Sequence, residues 1–267
     1  MRATADAGRS TDYDALAPHY DAFTSGSDYE RWTDGVLEHS RGHALSGRTL
    51  LDLACGTGNS FLPFLDRGFE VVGCDSSGAM LAEAARKAPR ARLVLADLRE
   101  VPLLGAFDLV TCFDDSLNYL PAEPDLRAAF ASMAANLAPR GLALFDLNSL
   151  QAYRTTFAHD SVRESDDGRV FAWRGESSES AQPGCAAGAW IEVFVPAPDG
   201  SYQRTRSHHA QRHFPGDRVA ALLREAGLEL VAVSGVLDDG TLVADADELR
   251  HLKVLYTARR AKGGAAQ

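Results

Sequence analysis

The sequence predicts an α/β fold in which helices cover both faces of a doubly wound, mostly parallel sheet. From about residue 49, short apolar runs alternate with segments of helical spacing. These runs are hydrophobic nearly throughout, which is typical of parallel strands buried on both faces. The chain has 267 residues, of which 45% are hydrophobic and 24% are charged. This composition is ordinary for a globular protein and supports one full hydrophobic core.

Five predicted strands precede residue 150: TLLDLAC, FEVVGCD, ARLVLADL, FDLVTCFD and GLALFDLN. The helices between them have recognisable ends, and the Pro-Arg-Gly segment at 139–141 stops the helix predicted over 124–137. A helix from Asp217 to Ala226 is followed by the strands LELVAVSGVL and LRHLKVLYTARR. We expect these last two strands to pair at one edge of the sheet, which gives seven strands in all.

Residues 151–214 interrupt this alternation of strands and helices. Their polar and apolar residues alternate, and they contain a Pro-Asp-Gly turn but no helical spacing. This pattern predicts an antiparallel β insertion after the fifth strand. We therefore expect a single domain over 11–260, with disordered ends at 1–10 and 261–267. Its parts are a helical cap, a cofactor-binding half, the β insertion and a C-terminal αββ completion, at 11–45, 46–150, 151–214 and 215–260.

Charge and hydropathy limit the kinds of partner. The formal net charge of −10 does not suit a protein that binds nucleic acid through its phosphates. The chain has no apolar run of membrane-spanning length, and its first ten residues lack the apolar core of a signal peptide. We expect a cytoplasmic protein with a small-molecule substrate and neither a nucleic-acid nor a membrane partner. The side chains of Trp173, Trp190, Phe194 and Val195 would also allow a homodimer through the insertion.

A glycine-containing loop, Ala54-Cys55-Gly56-Thr57-Gly58, follows the first strand. Glycines let the backbone adopt positive φ and approach a ligand closely. Ligands of open α/β sheets bind beyond the carboxyl ends of the strands, where this loop lies. The loop lacks the third glycine of the dinucleotide fingerprint and contains no Lys or Arg. It therefore suits an amino-acid tail better than a pyrophosphate.

Two carboxylates follow the next strands along the chain. Asp75 ends the second strand, where a carboxylate can accept hydrogen bonds from two ribose hydroxyls. Asp97 follows the third strand and can accept a hydrogen bond from the exocyclic amine of adenine. These positions predict an adenosine that lies along the strand ends, with the glycine loop facing its 5′ substituent.

The motifs DLACGTG, the acidic end of the second strand and LADLRE, in this order, resemble those of class I S-adenosylmethionine-dependent methyltransferases. The resemblance covers about residues 13–259. The spaced aromatics of the cap and the place of the insertion are similar to glycine N-methyltransferase and the amino-sugar N,N-dimethyltransferases. The resemblance implies a Rossmann-like fold, S-adenosyl-L-methionine as the cofactor and methyl transfer to a small molecule.

The same resemblance implies eleven residues that bind the cofactor. They are Tyr20, Trp32, Ala54, Gly56, Gly58, Asp75, Ser76, Met80, Asp97, Leu98 and Phe113. In this arrangement the glycines pass under the methionine part, and Asp75 holds the ribose. Met80 packs on the adenine, while Tyr20 and Trp32 close over the methionyl end. The family has no conserved acid–base set, so the resemblance by itself implies no catalytic residue.

The transferred methyl group would emerge at the end of the fourth strand. Asp114 and Asp115 follow this strand and could anchor a cationic amine, and Asn118 and Tyr119 could form pocket walls. Asn148, at the end of the fifth strand, is a further candidate for substrate binding. Asp115 is a candidate catalytic residue because a carboxylate can orient an amine for attack.

A hydroxyl substrate would require a general base. His209, in the last inserted strand, is the candidate for this role. Asp146 and Asn148, together with Asp114 or Asp115, resemble the ligands that hold Mg²⁺ in metal-dependent O-methyltransferases. Those enzymes place the Asp and the Asn next to each other, whereas Leu147 separates them here. We therefore predict no metal site.

We expect an S-adenosylmethionine-dependent methyltransferase that acts on a small molecule, with an amine nitrogen as the favoured acceptor. One alternative is an O-methyltransferase of a natural-product hydroxyl, assisted by a general base or by magnesium. Another is a protein that binds S-adenosylmethionine without catalysis. RNA methylation is disfavoured by the acidic charge balance. The sequence does not decide the substrate, the number of methyl groups transferred or the oligomeric state.

Overall fold

The computed structural model describes residues 9–261. Its strands are β1 Thr49–Leu53, β2 Glu70–Asp75, β3 Arg92–Leu95, β4 Phe107–Cys112, β5 Leu137–Asn148, β6 Asp160–Glu164, β7 Val170–Gly175, β8 Ala186–Pro196, β9 Tyr202–Arg212, β10 Leu228–Val236, β11 Leu242–Ala244 and β12 Lys253–Arg260. Its α-helices are α1 Arg9–Leu16, α2 Tyr20–Phe23, α3 Tyr29–Gly42, α4 Leu62–Asp66, α5 Gly78–Lys87, α6 Glu123–Asn136, α7 Leu150–Arg154 and α8 Gly216–Glu225. The ends predicted to be disordered lie outside the described residues, apart from Arg9 and Ser10 in α1 and the final Ala261.

The central sheet has the strand order β11-β10-β12-β5-β4-β1-β2-β3. The strands β3, β2, β1, β4 and β5 run parallel, and β12 is antiparallel to both β5 and β10. The predicted α/β fold is thus confirmed, but the predicted number of seven strands is wrong because the sheet has eight. The additional edge strand is β11. It has only three residues, too few to show a hydrophobic period.

The strand β5 begins at Leu137, several residues before the predicted start. Phe107 of β4 pairs with Leu137, and Leu109 pairs with Leu142, so the register shifts between these two pairs. This irregularity accommodates the Pro-Arg-Gly segment within the strand. The chain after α6 therefore pairs with the sheet even though it contains a proline. Proline has no N–H group for a hydrogen bond between strands, and a β-bulge can leave such a residue unpaired.

The inserted segment forms a second, antiparallel sheet with the strand order β6-β7-β8-β9. Its first strand, β6, escapes sequence analysis because all five of its residues are exposed, so it has no buried face to reveal it. The inner side packs on the cap through a cluster that includes Leu16, Phe171 and Ile191. Trp173 and Val195 pack against this inner region, which leaves Trp190 and Phe194 of the predicted interface on the outer side. A homodimer through this sheet stays a prediction.

Helix capping follows rules that are visible in the sequence. The Ser77 side chain accepts a hydrogen bond from the backbone N–H of Met80 at the start of α5, and Asp28 caps α3 through the N–H of Arg31. Strands β1 and β4 are buried along nearly their whole length, as expected for central parallel strands. None of the helices within residues 9–261 has the length and apolar content that a membrane span requires.

Candidate active site

A cavity of about 580 Å³ opens at the carboxyl ends of the parallel strands, between the helical cap and the inserted sheet. The predicted site residues that line it are Tyr20, Ala54, Gly56, Asp75, Ser76, Met80, Asp97, Leu98, Phe113, Asp114, Asn118, Tyr119 and His209. Four predicted site residues do not line it: Trp32, Gly58, Asp115 and Asn148. The cavity occupies the place where open α/β sheets bind their ligands.

The glycine loop after β1 has positive φ at Ala54, Gly56 and Gly58, with values of 53°, 53° and 90°. A Cβ atom on Gly56 would have only the ring of Tyr20 near it, at 3.9 Å, so this face of the loop is open to a ligand. A Cβ atom on Gly58 would lie 2.7 Å from the ring of Phe61. Gly58 therefore lets the loop turn over Phe61, and its predicted role facing the cofactor is not supported by this placement.

Asp75 connects the second strand to the glycine loop. Its carboxylate accepts hydrogen bonds from the backbone N–H groups of Gly56 and Ser77, each at 2.8 Å. Burial raises the pKa of Asp75, although these N–H groups act in the opposite direction. A carboxylate offers about four acceptor sites, so capacity is left on the cavity side for ribose hydroxyls.

Asp97 lies on the cavity wall and is held in place by Arg99. The guanidinium donates to both carboxylate oxygens, at 2.8 and 2.7 Å, and also pairs with Asp125 at 3.3 Å. Such a two-point contact fixes the plane of the carboxylate. The neighbouring Leu98 and Met80 provide apolar surface for a flat ring.

The helical cap is fastened to the glycine loop by Asp21 of α2. Its carboxylate accepts hydrogen bonds from Thr57 Oγ1 at 2.6 Å and Asn59 Nδ2 at 3.0 Å, and pairs with Lys87 Nζ at 2.7 Å. These contacts place the ring of Tyr20, the adjacent residue, over Gly56. The cap is therefore part of the cavity wall.

Asp52 lies beneath the loop and does not line the cavity. It accepts hydrogen bonds from the hydroxyls of Ser60 and Thr111, both at 2.6 Å. Burial raises the pKa of Asp52 to about 7, against the effect of these hydroxyls. The folded protein thus binds a proton at Asp52 more tightly than the unfolded chain does. The resulting stability is complete below about pH 4 and is lost as the pH rises through 7.

We expect Asp52→Asn to remove this pH dependence. From pH 5 to pH 8, the native protein should lose about 2 to 3 kcal/mol more of its free energy of unfolding than the variant does. One pKa unit corresponds to about 1.4 kcal/mol. Urea unfolding at both pH values measures this difference. The exposed Asp66→Asn is the matched control. Identical pH dependence in Asp52→Asn and the native protein would contradict the assignment.

The chain turns sharply after β4, where Asp114 and Asp115 both adopt positive φ, at 56° and 51°. Aspartate tolerates this conformation better than most residues do. Asp114 faces the cavity and accepts a hydrogen bond from the Tyr29 hydroxyl at 2.8 Å. The side chain of Asp115 instead accepts a hydrogen bond from Gln211 Nε2 at 2.6 Å. The predicted catalytic role of Asp115 therefore lacks direct access to the cavity.

Lys253, the first residue of β12, places its ammonium among three carboxylates. The Nζ atom is 2.8 Å from Asp115, 3.1 Å from Asp146 and 3.6 Å from Asp114. Burial lowers the pKa of Lys253, but the carboxylates outweigh it and hold this pKa well above its usual value. Burial also raises the pKa of Asp146, against the pull of Lys253. We call Lys253, Asp114, Asp115 and Asp146 the acidic cluster.

The acidic cluster bears on the magnesium alternative. Its ammonium lies where a cation shared by these carboxylates would lie, close to all three. Asn148, the remaining candidate ligand, donates through Nδ2 to Gln211 at 2.9 Å, and its backbone N–H donates to Asn118 Oδ1. Among residues 9–261, no group of three His, Cys, Asp or Glu side chains is arranged to hold a metal ion. Asn148 thus contacts two residues of the cavity wall without lining the cavity itself, and its role in substrate binding stays a prediction.

Trp32 also lies behind the wall. Its ring packs edge-on against Phe113, with the centroids 5.3 Å apart and the planes at 85°. Phe113 lines the cavity, whereas Trp32 does not. The predicted contact of Trp32 with the methionyl end is not supported by this placement.

His209 is buried at the inserted-sheet side of the cavity. Its Nδ1 atom is 3.1 Å from the Tyr119 hydroxyl, and its Nε2 atom is 2.8 Å from Ser207 Oγ. Burial lowers the pKa of His209 to about 4. The imidazole is therefore neutral at physiological pH, but it is a weak base with both nitrogens engaged. This environment does not suit the predicted role of general base for an alcohol.

The residues of the site that sequence reasoning missed include Lys253, Gln211, Tyr13 and Tyr29. Lysine occurs only three times in the chain, and Lys253 stands within the apolar run of the last strand, which could have marked it as buried and paired. Tyr13 and Tyr29 belong to the spaced aromatics of the cap, but nothing in their spacing shows which of them face the cavity. Gln211 carried no signal, since its partners come from distant segments.

Taken together, the fold and the cavity define an α/β protein with a ligand site at the carboxyl ends of its parallel strands. The first two strand ends provide an open glycine loop and a buried carboxylate, which suit a nucleoside. Residues 50–141 match the sequence profile of a family described as "Methyltransferase domain".

Known proteins of similar sequence extend this match to nearly the whole chain. YqeM of Bacillus subtilis (strain 168), which is named as a methyltransferase, is 31% identical over 241 residues, covering 89% of this chain and 94% of YqeM. The dTDP-3-amino-3,6-dideoxy-alpha-D-glucopyranose N,N-dimethyltransferase of Streptomyces fradiae is 34% identical over 146 residues, covering 54% of this chain and 57% of that enzyme.

Two solved structures share the fold. An S-adenosylmethionine-dependent methyltransferase from Clostridium acetobutylicum ATCC 824 has a TM-score of 0.78 at 24% identity, with 93% of this chain and 99% of that chain covered. The sugar N-methyltransferase KedS8 from Streptoalloteichus sp ATCC 53650 has a TM-score of 0.72 at 25% identity, with 97% and 98% covered. The chain therefore belongs to the S-adenosylmethionine-dependent methyltransferases, and the resemblance seen in its motifs is confirmed.

The residues around the cavity fit S-adenosylmethionine, which supplies an electrophilic methyl group on its sulfonium sulfur. Asp75 would hold the ribose, while Met80, Leu98 and Asp97 would surround the adenine. The open backbone at Gly56 leaves room for the methionine part.

Proposed function

We propose that this methyltransferase transfers the methyl group to a nitrogen atom of a small-molecule amine. The observation that supports this most is the carboxylate of Asp114, which lies on the cavity wall and belongs to a cluster of three carboxylates and one ammonium. An amine acceptor becomes positively charged as it is methylated. A fixed carboxylate stabilises that developing charge, which is strongest in the transition state and the product.

The protein's contribution in this proposal is orientation. The amine must attack as the neutral base, with its lone pair in line with the bond from sulfur to the methyl carbon. The N–C bond forms as the S–C bond breaks, and the electron pair of the S–C bond stays on sulfur. Asp114 accepts a hydrogen bond from an N–H group of the amine and so directs the lone pair. The product ammonium then releases its proton to water.

Methylation of a hydroxyl is less well served by the same site. An alcohol needs a base during attack, and the buried His209 is too weak a base at its lowered pKa of about 4. The carboxylates that could share a magnesium ion are paired with Lys253. The names of the similar proteins, an amino-sugar N,N-dimethyltransferase and a sugar N-methyltransferase, also favour nitrogen.

Release of S-adenosylhomocysteine tests the proposal on matched pairs of amines and alcohols, such as amino sugars against the parent sugars, with and without EDTA. We expect turnover on amines only, at the same rate in EDTA. Turnover on alcohols only would overturn the proposal, and loss of it in EDTA would point to a metal. Tight binding of S-adenosylmethionine without turnover of any pair would favour the non-catalytic alternative.

Asp114→Asn is expected to lower kcat/KM for the amine about 10- to 100-fold, mainly through kcat, because a hydrogen bond to a charged group contributes about 1.5 to 3 kcal/mol and this one is strongest in the transition state. Asparagine tolerates the positive φ at this position, so the turn after β4 should survive. Steady-state kinetics measure the effect. The exposed Asp166→Asn is the control and should leave kcat/KM unchanged. An unaltered kcat/KM in Asp114→Asn would remove Asp114 from the amine site.

A further inference from the structure

Four side chains form a continuous hydrogen-bonded chain from the cavity into the inserted sheet. The Tyr13 hydroxyl lies 2.8 Å from that of Tyr119, which lies 3.1 Å from His209 Nδ1. His209 Nε2 lies 2.8 Å from Ser207 Oγ, which does not line the cavity. The rings of Tyr13 and His209 also pack edge to face, with their centroids 4.9 Å apart. We call these four residues the relay.

The first bond of the relay has an assigned direction, since Tyr13 donates its proton to the oxygen of Tyr119. Only one ring nitrogen of a neutral histidine is a donor, and we assign the proton of His209 to Nε2. In this tautomer Nδ1 accepts from Tyr119 and Nε2 donates to Ser207 Oγ. Burial raises the pKa of Tyr13 well above its usual value and lowers that of His209, so both groups stay neutral.

This direction leaves the oxygen of Tyr13 as an acceptor toward the cavity. Its only proton is used within the relay, and its lone pairs have no donor among the bonds of the relay. A free phenol could turn its proton toward the cavity and act as a donor there. The relay opposes this rotation, because turning would break the hydrogen bond from Tyr13 to the buried Tyr119 oxygen.

We propose that the relay makes Tyr13 a fixed hydrogen-bond acceptor for an N–H group at the point of methyl transfer, and that Tyr119, His209 and Ser207 are positioning residues acting through Tyr13. This inference rests on the proposed function, since an amine is the acceptor that offers such an N–H group. Tyr13 and Asp114 would then accept from the same nitrogen and direct its lone pair toward the methyl group. The arrangement selects nucleophiles that are hydrogen-bond donors.

Binding of two cofactor analogues tests the relay without the unknown substrate. Sinefungin carries an amine-bearing carbon in place of the methylated sulfur, whereas S-adenosylhomocysteine has no group at that point. The ratio of their dissociation constants, from calorimetry, reports on acceptors near the transferred methyl group. We expect the native protein to prefer sinefungin, and Tyr13→Phe and Tyr119→Phe to reduce this preference about tenfold, the equivalent of about 1.4 kcal/mol.

The remaining variants separate positioning from a general effect on packing. His209→Asn keeps a hydrogen-bond acceptor near the position of Nδ1, so it should retain most of the preference for sinefungin. Ser207→Ala should lose part of this preference, although Ser207 does not line the cavity. Tyr256→Phe, which removes a buried phenol hydroxyl elsewhere, should change nothing. An unchanged ratio in Tyr119→Phe would overturn the relay even if amines are methylated. If Tyr13→Phe and Tyr119→Phe lost the preference for sinefungin but the native protein methylated only alcohols, the proposed function would be overturned. Tyr13 would then still be a hydrogen-bond acceptor in the cavity.

Discussion

Replacing Lys253 with methionine is expected to lower the free energy of unfolding at pH 8 by about 1 to 3 kcal/mol. This is less than the loss for a fully buried ion pair, because the side chains of Lys253, Asp115 and Asp114 are 27%, 20% and 39% exposed. The reason for the loss is geometric. Lys253 is the ammonium close to all three carboxylates of the acidic cluster, and the Asp146 side chain is only 3% exposed. Without it, the carboxylates would repel one another, and the buried Asp146 would lose its cationic partner.

The loss should depend strongly on pH. In the variant, burial raises the pKa of Asp146 above that of the unfolded chain, without Lys253 to oppose it. The folded state then holds protons more tightly, so stability is present at low pH and is lost as the pH rises through the raised pKa. Urea unfolding of Lys253→Met from pH 5 to pH 8 should therefore show recovery toward the native protein at pH 5.

Lys87→Met is the matched control for this prediction. Lys87 also pairs with a carboxylate, but the side chain of that partner, Asp21, is 50% exposed. Exposed ion pairs contribute about 0 to 1 kcal/mol, so we expect a small loss with little dependence on pH. If Lys253→Met lost no more stability than Lys87→Met, the acidic cluster would not be a buried ion network.

Asp75→Ala should weaken the binding of S-adenosylhomocysteine by about 100-fold or more, since hydrogen bonds to a charged group contribute about 1.5 to 3 kcal/mol each and two ribose hydroxyls are involved. The substitution also removes the acceptor for Gly56 and Ser77 at the base of the loop. Calorimetric titration measures the affinity. Glu70→Ala, at the exposed start of the same strand, should bind as the native protein does.

An analogue of S-adenosylhomocysteine without the ribose hydroxyls distinguishes two roles of Asp75: hydrogen bonding to the ribose and support of the glycine loop. The native protein should bind 2′,3′-dideoxy-S-adenosylhomocysteine about as weakly as Asp75→Ala binds the parent compound, and the variant should bind both compounds alike. If the variant still distinguished them, another residue would hold the ribose, and Asp75 would act only on the backbone of the glycine loop.

Local patterns were enough for the cofactor half of the protein. Strands β1 and β4 are buried along most of their length, and β2 along half of it, so all three appear in the sequence as apolar runs. The loop glycines and the strand-end carboxylates follow directly from those runs in sequence. Asp75 and Asp97 reach the cavity because a parallel sheet brings the carboxyl ends of its strands to one edge.

Sequence patterns did not reveal the strands that are very short or fully exposed. The strand β11 has three residues, and β6 is exposed along its whole length, so neither has a buried face that would impose a period. The placement of Trp32 and Gly58 was also out of reach. Trp32 packs against Phe113, and the backbone at Gly58 passes over the ring of Phe61. Whether each residue faces a ligand or a neighbouring ring therefore depends on tertiary packing.

By itself, the sequence determined the α/β fold, the family and the cofactor, because these depend on residues close together in the chain. Only the tertiary structure decided the chemistry at the acceptor side. There, Lys253 meets Asp115 and Asp146 because β12 pairs with β5 in antiparallel register, opposite Asn148. Tyr13 meets His209 because the cap folds over the inserted sheet. Charge and protonation at that side depend on burial and on partners more than 100 residues apart, which no local pattern records.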